Sequence, residues 1–239
     1  MSVKKKQKLY EGKAKIVYET DKEDLLIQEF KDDATAFDGA KKGKIKSKGV
    51  VNNQISSFLF NYLDSYHVPT HFVSTRSDNS MVIRKLEMIP VEVVMRNIAT
   101  GSLVKRYGVE EGKELEQPVL EYYLKDDEKH DPMVNEHHVV SFGHATQDEL
   151  KQIERFAYKI NAVLKAFFFR RDLKLVDFKL EFGRNKNGKI VLGDEISPDT
   201  CRFWDAQTDE KLDKDRFRQD LGKIEEAYQE VRNRVFKEA

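Results

Sequence analysis

The chain has 239 residues, 39% of them hydrophobic and 35% charged, so it is long enough to bury a substantial core beneath a well-solvated surface. Basic and acidic residues number 42 each, and a net charge of zero gives no general reason to expect nucleic acid or an acidic membrane as a partner. No apolar run approaches the roughly 20 residues of a membrane-spanning helix, and the lysine-rich first eight residues lack a secretory signal, so we expect a cytoplasmic protein.

Strand patterns dominate the first 90 residues, at positions 8–10, 15–19, 25–30, 70–74 and 81–86. The first two strands flank a turn at Glu11-Gly12. One helix is predicted at 51–63, where the apolar residues follow helical spacing: Val51, Ile55, Phe58, Leu59, Tyr62 and Leu63. Residues 41–48 contain five lysines and no acid, which fits a mobile lid over anionic substrates and a solvated loop equally well.

The second part of the chain carries longer helices. Thr146 and Glu149 form a capping box ahead of an apolar stripe that runs to Phe167. A final helix is predicted from about Asp213, with an apolar side that we expect to pack against the sheet. Because strands and helices mix without a regular βαβ rhythm, we predict an α+β fold with a mainly antiparallel sheet. We place the boundary between two lobes at residues 88 and 89.

The strongest functional signal lies in residues 173–205. Alternate residues of a strand point to opposite faces, and one face of the first strand here carries apolar residues: Val176, Phe178, Leu180 and Phe182. The other face carries Leu175 and three ionisable residues: Asp177, Lys179 and Glu181. Such a face belongs to a functional site or to solvent.

A pair of acids on neighbouring strands indicates a metal site. Asn187-Gly188 fits a two-residue type I′ turn, and that turn places Glu181 directly opposite Asp194. Facing carboxylates repel each other, so we predict Mg²⁺ between them, with Lys179 neutralising part of the cluster. The alternative is an exposed hairpin whose acids are hydrated. The acids, arginine and aromatic residues of 193–205 favour a substrate pocket.

Several motifs resemble those of the SAICAR synthetase family, enzymes of purine biosynthesis. The likeness runs nearly end to end, and the motifs are specific in combination. They are residues 9–15 (LYEGKAK), 31–39 (KDDATAFDG), 91–106 (VEVVMRNIATGSLVKR), 130–136 (HDPMVNE), 176–183 (VDFKLEFG) and 193–205 (GDEISPDTCRFWD).

The resemblance implies a fold, a reaction and an assembly. The fold is two-lobed, with an N-terminal antiparallel-sheet lobe similar to that of protein kinases and a larger C-terminal α+β lobe. The reaction converts ATP, L-aspartate and the carboxylated aminoimidazole ribonucleotide CAIR into SAICAR, ADP and phosphate, with Mg²⁺ held by Glu181 and Asp194. The expected assembly is a homodimer.

For the nucleotide, the resemblance implies a phosphate-binding turn made of Gly12, Lys13, Ala14 and Lys15. Backbone N–H groups and Lys13 can approach phosphates from such a turn, although a hairpin with surface lysines is the ordinary alternative. Lys125 resembles a second lysine near the phosphates. Backbone groups between Lys85 and Met88 are expected to read the adenine edge, with Met88 packed on the purine. An ordinary strand between the lobes would have the same sequence pattern.

For the ribonucleotide, the resemblance implies a 5′-phosphate site made of Arg96, Ser102 and Arg202, although Arg96 alone fits a surface ion pair equally well. A short helix beginning near residues 100–102 would add N–H groups. The imidazole, its amine and its carboxylate are expected beside Asp177, Lys179 and Asp199. Asp38 resembles a substrate-side acid, whereas a turn-forming Asx residue is the ordinary explanation.

The implied mechanism activates a poor acyl donor. The CAIR carboxylate attacks the γ-phosphate of ATP and becomes an acyl phosphate, which the aspartate amine then displaces. Lys13, Asp177 and Lys179 are the candidate catalytic residues, acting by positioning and charge stabilisation. No protein nucleophile is needed, so Cys201 and the pair His137-His138 are interpreted as structural or incidental.

Two other functions fit part of the same pattern. A small-molecule kinase would stop at phosphoryl transfer, and the ATP half of the site does not distinguish it from the ligase. A non-catalytic nucleotide- or RNA-binding module could use the same lysines, but it would have no need of paired strand carboxylates.

Overall fold

The structure, a computed structural model, describes residues 3–36 and 39–237. Every ladder between its strands is antiparallel, and helices pack on the sheets, which confirms the predicted α+β class. Within the described residues, no helix is both long enough and apolar enough to cross a lipid bilayer.

The elements up to residue 84 form one sheet, one small hairpin and one helix. They are β1 (Lys5–Glu11), β2 (Lys15–Thr20), β3 (Leu25–Phe30), β4 (Asp33–Ala36), β5 (Lys41–Lys44), α1 (Lys48–Ser65), β6 (Phe72–Ser77) and β7 (Ser80–Arg84). The sheet has the order β1-β2-β3-β7-β6, and β4 pairs with β5 outside it. All five strand positions predicted from the sequence are therefore occupied by strands, with bounds shifted by a few residues.

Helix α1 confirms the helix predicted at 51–63 and changes the interpretation of the lysine-rich segment. Residues 41–48 are neither one lid nor one loop, because Lys41–Lys44 forms β5 and Lys48 begins α1 with its side chain fully buried. The start of α1 is fixed by Asp32, whose carboxylate accepts hydrogen bonds from the N–H groups of Ser47 and Gly49. Gly49 lies so close to β3 that a Cβ there would be 2.8 Å from the Phe30 carbonyl oxygen.

The remaining elements build a second sheet with its own helices. They are β8 (Glu87–Ile98), α2 (Ser102–Tyr107), β9 (Glu114–Leu124), β10 (Met133–Val134), α3 (Glu136–Ser141), α4 (Gln147–Phe169), β11 (Leu173–Arg184), β12 (Ile190–Gly193), β13 (Cys201–Asp205), α5 (Asp215–Arg218) and α6 (Ile224–Phe236). The sheet has the order β10-β9-β8-β11-β12, and β13 also pairs with β11. The long strands β8 and β11 form its centre, and α4 packs on both of them.

The sequence predicts the start of α4 correctly but not the helices at the end of the chain. The capping box of Thr146 and Glu149 is present at the start of α4. The prediction of a single final helix is wrong, because the chain forms two helices, α5 and α6. They are separated by residues 219–223, where Gly222 has φ +69°. Of these two helices, α5 contacts strand β4, whereas α6 packs on α1, with the rings of Phe58 and Phe236 5.3 Å apart.

The hairpin between β11 and β12 corrects the predicted register. Glu181 pairs with Gly193 and not with Asp194. The connection is a three-residue loop closed by Gly188, whose φ is +72°, whereas a type I′ turn also needs a positive φ at Asn187. The Asn185 side chain stabilises this loop by accepting the N–H groups of Asn187 and Lys189.

A bulge in β11 shifts the predicted alternation of its first half. Leu175 pairs with Phe203 and Asp177 with Arg202, which leaves Val176 as the extra residue. Leu175 therefore joins the main core, while Val176 packs in a separate cluster with Ile98 and Trp204. The sequence prediction is therefore wrong for both residues, because it places Val176 on the apolar face and Leu175 on the face with the ionisable residues. Beyond the bulge, the apolar face is confirmed by the burial of Phe178, Leu180 and Phe182 in the core.

Candidate active site

A cleft of about 1180 Å³ is lined by residues from both sheets. The strand β11 contributes the three ionisable residues that the sequence placed on one face, Asp177, Lys179 and Glu181. The turn between β1 and β2 lines the cleft from the first sheet, and the loop from β12 to β13 lines it from the second. The cleft therefore collects charged groups from distant parts of the chain.

The predicted acid pair is brought together, although not by direct cross-strand pairing. The Nζ of Lys179 lies 2.5 Å from Glu181 Oε1 and 3.1 Å from Asp194 Oδ2. Lys15 contacts the other oxygen of Asp194, and Lys125 Nζ lies 2.6 Å from Glu181 Oε2. Asp194 reaches this cluster from the residue after β12, with φ +59°. The positive charge between the two acids is thus an ammonium group.

Burial and charge act in opposite directions on this cluster. Burial penalises the charged form of Glu181, but Lys179 and Lys125 outweigh it and lower the pKa of the carboxyl to about 2. Burial likewise opposes the charge of Lys179, yet Glu181 and Glu92 raise its pKa. For Lys15 burial prevails and lowers the pKa. Glu181 is therefore an ionised carboxylate at neutral pH, as a cation ligand must be.

The acid pair fits a divalent cation whose other ligands come from the nucleotide. Within the described ranges, no three His, Cys, Asp or Glu side chains are grouped as a metal site. Mg²⁺ commonly takes one or two protein carboxylates and fills its octahedron with waters and phosphate oxygens. Glu181 and Asp194 suit that arrangement, because both are nearly buried yet line the cleft.

The predicted phosphate-binding turn lies at the mouth of the cleft. Gly12, Lys13, Ala14 and Lys15 all line it. Lys13 is half exposed and pairs with Asp127 at 2.8 Å, whereas Lys15 reaches the acid cluster. A Cβ on Gly12 would lie 2.9 Å from the Tyr10 hydroxyl, so a larger residue would displace that ring.

The start of β8 contributes Met88 to the cleft, whereas the Lys85 side chain, just before this strand, does not line it. Lys85 is exposed and does not line the cleft, and its backbone N–H donates to the Asp24 carbonyl. Met88 lines the cleft beside Gly183 and Gly193, where an added Cβ would be 3.1 Å from its Sδ or Cε atom. The two glycines therefore leave room for the methionine side chain.

Arg96 is the centre of a buried ionic group. Its guanidinium donates to Glu121 at 2.6 Å, to Asp177 at 2.8 Å and to the Ser102 hydroxyl at 2.8 Å. The side chain of Arg96 is almost fully buried, and Ser102 does not line the cleft. Ser102 begins α2, which has only six residues. Arg96 itself lines the cleft and holds Asp177 in place there.

Arg202 lies on the other side of Asp177. It donates to Asp177 at 2.8 Å and to Asp215 at 2.8 Å, and it lines the cleft. Gly101, with φ +58°, packs against its guanidinium, since a Cβ there would be 2.9 Å from Nη2. Two arginines therefore bracket one carboxylate at this end of the cleft.

Asp199 lines the cleft and is held from behind by two buried residues. Lys48 Nζ lies 2.6 Å from its Oδ2, and the Tyr228 hydroxyl donates to its Oδ1 at 2.7 Å. Asp38, the remaining predicted substrate residue, lies outside the described residues.

The cleft includes residues that the sequence interpretation missed. His71 and Glu195 line the end near the acid cluster, and Lys214 and Arg218 line the end near Arg202. The last two stand four residues apart in the predicted final helix, and this spacing is the only signal that the sequence offers for them. For His71 the local sequence carries no such signal.

His71 is a buried neutral imidazole. Its ring is enclosed next to Phe60, and its Nε2 has no hydrogen-bond partner within residues 3–36 and 39–237. Burial, with the nearby charges of Lys15 and Arg84, lowers its pKa to about 3. An unfolded chain would bind a proton at this residue near pH 6.5, so acid favours unfolding.

We expect His71→Gln to flatten the acid limb of the stability curve. The contribution of neutral His71 is complete above pH 6.5 and falls by about 1.4 kcal/mol per pH unit as the pH drops towards 3. Urea unfolding of both proteins at pH 7, 6, 5 and 4 measures this difference. Parallel curves over that range would show that His71 binds its proton equally well in the folded and unfolded protein.

Comparisons with known proteins agree with the motifs and the fold. The SAICAR synthetase family model matches residues 8–235. A phosphoribosylaminoimidazole-succinocarboxamide synthase from Pelodictyon phaeoclathratiforme is 62% identical over 233 residues, which cover 98% of each chain. The crystal structure of that synthase from Ehrlichia chaffeensis has a TM-score of 0.94 at 45% identity, covering 96% of this chain and 98% of that one.

A solved SAICAR synthetase in complex with ADP is similar to the same extent. Its TM-score is 0.93 at 52% identity, covering 96% of this chain and 97% of the other. The two-lobed SAICAR-synthase fold is therefore confirmed. With a family model and close relatives that span nearly the whole sequence, the chain belongs to the SAICAR synthetase family.

Proposed function

We propose that the protein is an ATP-dependent ligase of purine biosynthesis that joins the amine of L-aspartate to the carboxylate of CAIR, releasing SAICAR, ADP and phosphate. The observation that carries this proposal is the single face of β11. This face presents Asp177, Lys179 and Glu181 to one cleft. Arginines pair with Asp177, and lysines pair with Glu181. A ligase that must bring two anionic substrates together needs such neighbouring cationic groups.

On the nucleotide side, the turn at residues 12–15 and Lys125 are proposed to bind the phosphates of ATP. Met88 packs against the purine, and backbone groups of 85–88 read its edge. Glu181 and Asp194 would hold Mg²⁺, which supplies charge stabilisation for the phosphates when bound. Lys13 and Lys179 contribute further positive charge near the transferred phosphoryl group.

On the ribonucleotide side, Arg202, Arg96 and Ser102 are proposed to form the 5′-phosphate site. Arg202 and Arg96 both line the cleft and both donate to Asp177, which supports a phosphate site made by the two guanidinium groups. The imidazole with its amine and carboxylate is positioned by Asp177, Lys179 and Asp199. Asp38 is proposed as a substrate-side acid.

The proposed chemistry proceeds in two steps. A carboxylate oxygen of CAIR attacks the γ-phosphorus of ATP, and ADP leaves, which gives an acyl phosphate. The aspartate amine then attacks the acyl carbon, phosphate leaves, and the amine loses a proton. Both steps depend on positioning and on stabilising negative charge, and neither requires a nucleophile from the protein.

The reaction is tested by measuring ADP release in a coupled assay, with CAIR and L-aspartate omitted in turn. We expect ADP release only when both are present, in equal amounts with SAICAR. Equal ADP release with CAIR alone would indicate a small-molecule kinase. Nucleotide binding without any ADP release would indicate a binding module.

The assembly, location and domain division remain proposals. A homodimer in the cytoplasm, without a nucleic-acid or membrane partner, fits the family. We propose a lobe boundary at residues 88 and 89, near the start of β8, where the first sheet gives way to the second. Light scattering of the purified protein would measure its oligomeric state.

A further inference from the structure

Asp199 lines the cleft, and each of its carboxylate oxygens accepts a hydrogen bond from a buried residue behind it. The side chain is 3% exposed, and its two partners come from opposite ends of the chain. Lys48 donates to Oδ2 at 2.6 Å and Tyr228 to Oδ1 at 2.7 Å. Neither partner lines the cleft itself, whereas Asp199 does. Each of them can therefore act on a bound ligand only through this carboxylate.

The burial of Lys48 is unusual for a lysine, because its side chain is 0% exposed. A buried ammonium group is costly unless it is paired, and truncating one member of such a pair leaves the other charge uncompensated. The backbone around Lys48 is also fixed on both sides by Asp32, which binds the N–H groups of Ser47 and Gly49. The ammonium group is thus held at one position beneath Asp199.

Tyr228 completes the arrangement from α6. Its side chain is among the largest that are fully buried, and α6 packs directly on α1, the helix that carries Lys48. The side chains of Arg232 and Gln54 join the same two helices. The positions of the two donors are consequently set by one helix–helix contact, which makes the orientation of the Asp199 carboxylate a property of that contact.

The electrostatics of Asp199 favour an acceptor over a proton carrier. Burial alone would raise the pKa of its carboxyl, but Lys48, Lys214 and the Tyr228 hydroxyl outweigh burial and lower it. A carboxylate that stays ionised is a poor general base, and it has no proton to donate. It retains lone pairs towards the cleft, which suit an N–H donor of a ligand.

We infer that Lys48 and Tyr228 are positioning residues, which aim the Asp199 carboxylate at the exocyclic amine of the bound aminoimidazole. This inference rests on the proposed function, because it takes CAIR as the ligand. Of the polar groups on the CAIR ring, the amine donates hydrogen bonds while the carboxylate beside it can only accept. A fixed acceptor at Asp199 therefore orients the ring, so that its carboxylate points away from Asp199.

The test is Tyr228→Phe, which removes one hydroxyl and keeps the ring that packs in the core. We expect the KM for CAIR to rise about tenfold, the free-energy equivalent of one hydrogen bond to a charged group, while the KM for ATP stays the same. The matched control is Tyr122→Phe. The Tyr122 hydroxyl is buried away from the cleft and has no partner in the described part of the chain. Its removal should change neither KM.

A ligand analogue separates positioning from a general structural effect. For an imidazole ribonucleotide that carries the carboxylate but lacks the amine, Tyr228→Phe and the unchanged protein should bind with the same Kd in calorimetry. The inference is overturned if the variant weakens both ligands equally, or if the KM values for CAIR and ATP rise together. Absence of SAICAR formation by the unchanged protein would instead contradict the proposed function.

A second pair of variants covers the case in which Tyr228→Phe does not fold. Asp199→Asn is compared with the double variant Lys48→Gln plus Asp199→Asn, in which a neutral amide pair replaces the ion pair. If Lys48 acts through Asp199, the second substitution adds less than a twofold change in the KM for CAIR. A further tenfold increase would show that Lys48 acts independently of Asp199 and would overturn its assignment.

Discussion

Replacing Glu181 with Gln, or Asp194 with Asn, is expected to lower kcat by about 10²–10³-fold, as the loss of one preorganised charge contact to a transition state does. Each substitution keeps the shape of the side chain but removes a negative charge from the proposed Mg²⁺ site. The coupled ADP assay at saturating Mg²⁺ measures the loss. Thermal unfolding should show that both variants remain folded.

The control for this prediction is Glu92→Gln. Glu92 also lines the cleft and also pairs with Lys179, at 3.2 Å, but within residues 3–36 and 39–237 it forms no ion pair with Lys125 or Lys15. Its substitution should lower kcat by less than about tenfold. Equal losses for Glu92→Gln and Glu181→Gln would show that the total charge of the cleft matters, and not an acid pair.

Replacing Arg96 with Met is expected to lower the free energy of unfolding by about 3–5 kcal/mol, because it leaves buried carboxylates without their central partner. Arg96 joins Glu121 and Asp177 at the wall of the cleft, and both acids are nearly inaccessible to water. Equilibrium unfolding in urea measures the change. The methionine keeps most of the side-chain volume, so the loss reports charge more than packing.

Arg234→Met provides the comparison for Arg96. Arg234 also bridges two acids, Asp205 and Glu230, but its side chain is 20% exposed. Its removal should cost less than about 1 kcal/mol, as for other solvent-screened pairs. If Arg96→Met were as mild as Arg234→Met, the buried ion pairs of Arg96 would contribute little to folding.

The sequence predicted those parts of the fold that depend on local periodicity or local capping. The helix at 51–63 and the Thr146 capping box are read from neighbouring residues, and both are confirmed. The predicted hairpin register differs from the structure by one residue. The Asn185 side chain stabilises a three-residue loop, which the dipeptide Asn187-Gly188 does not reveal. The bulge at Val176 is likewise set by pairing with β13, which the alternation of β11 alone does not contain.

The sequence predicts the site residues that lie on one strand, but it does not predict those that distant parts of the chain bring together. Asp177, Lys179 and Glu181 follow from two-residue spacing, and all three line the cleft. Lys48 was read as part of a lysine-rich segment, because its burial depends on an acid far along the chain. Local sequence contains no information about that encounter.

The Lys48 ion pair has a consequence for biosynthesis. Asp199 follows Lys48 by 151 residues, and Tyr228 follows Asp199 by a further 29. A ribosome therefore delivers the lysine long before its counter-ion, and during that interval the end of α1 carries an uncompensated charge on a surface destined for the interior. The first turn of α1, which carries Lys48, gains its charged partner only when the downstream segment arrives. A nascent chain arrested before α6 would hold most of the cleft residues without the helix contact that orients Asp199.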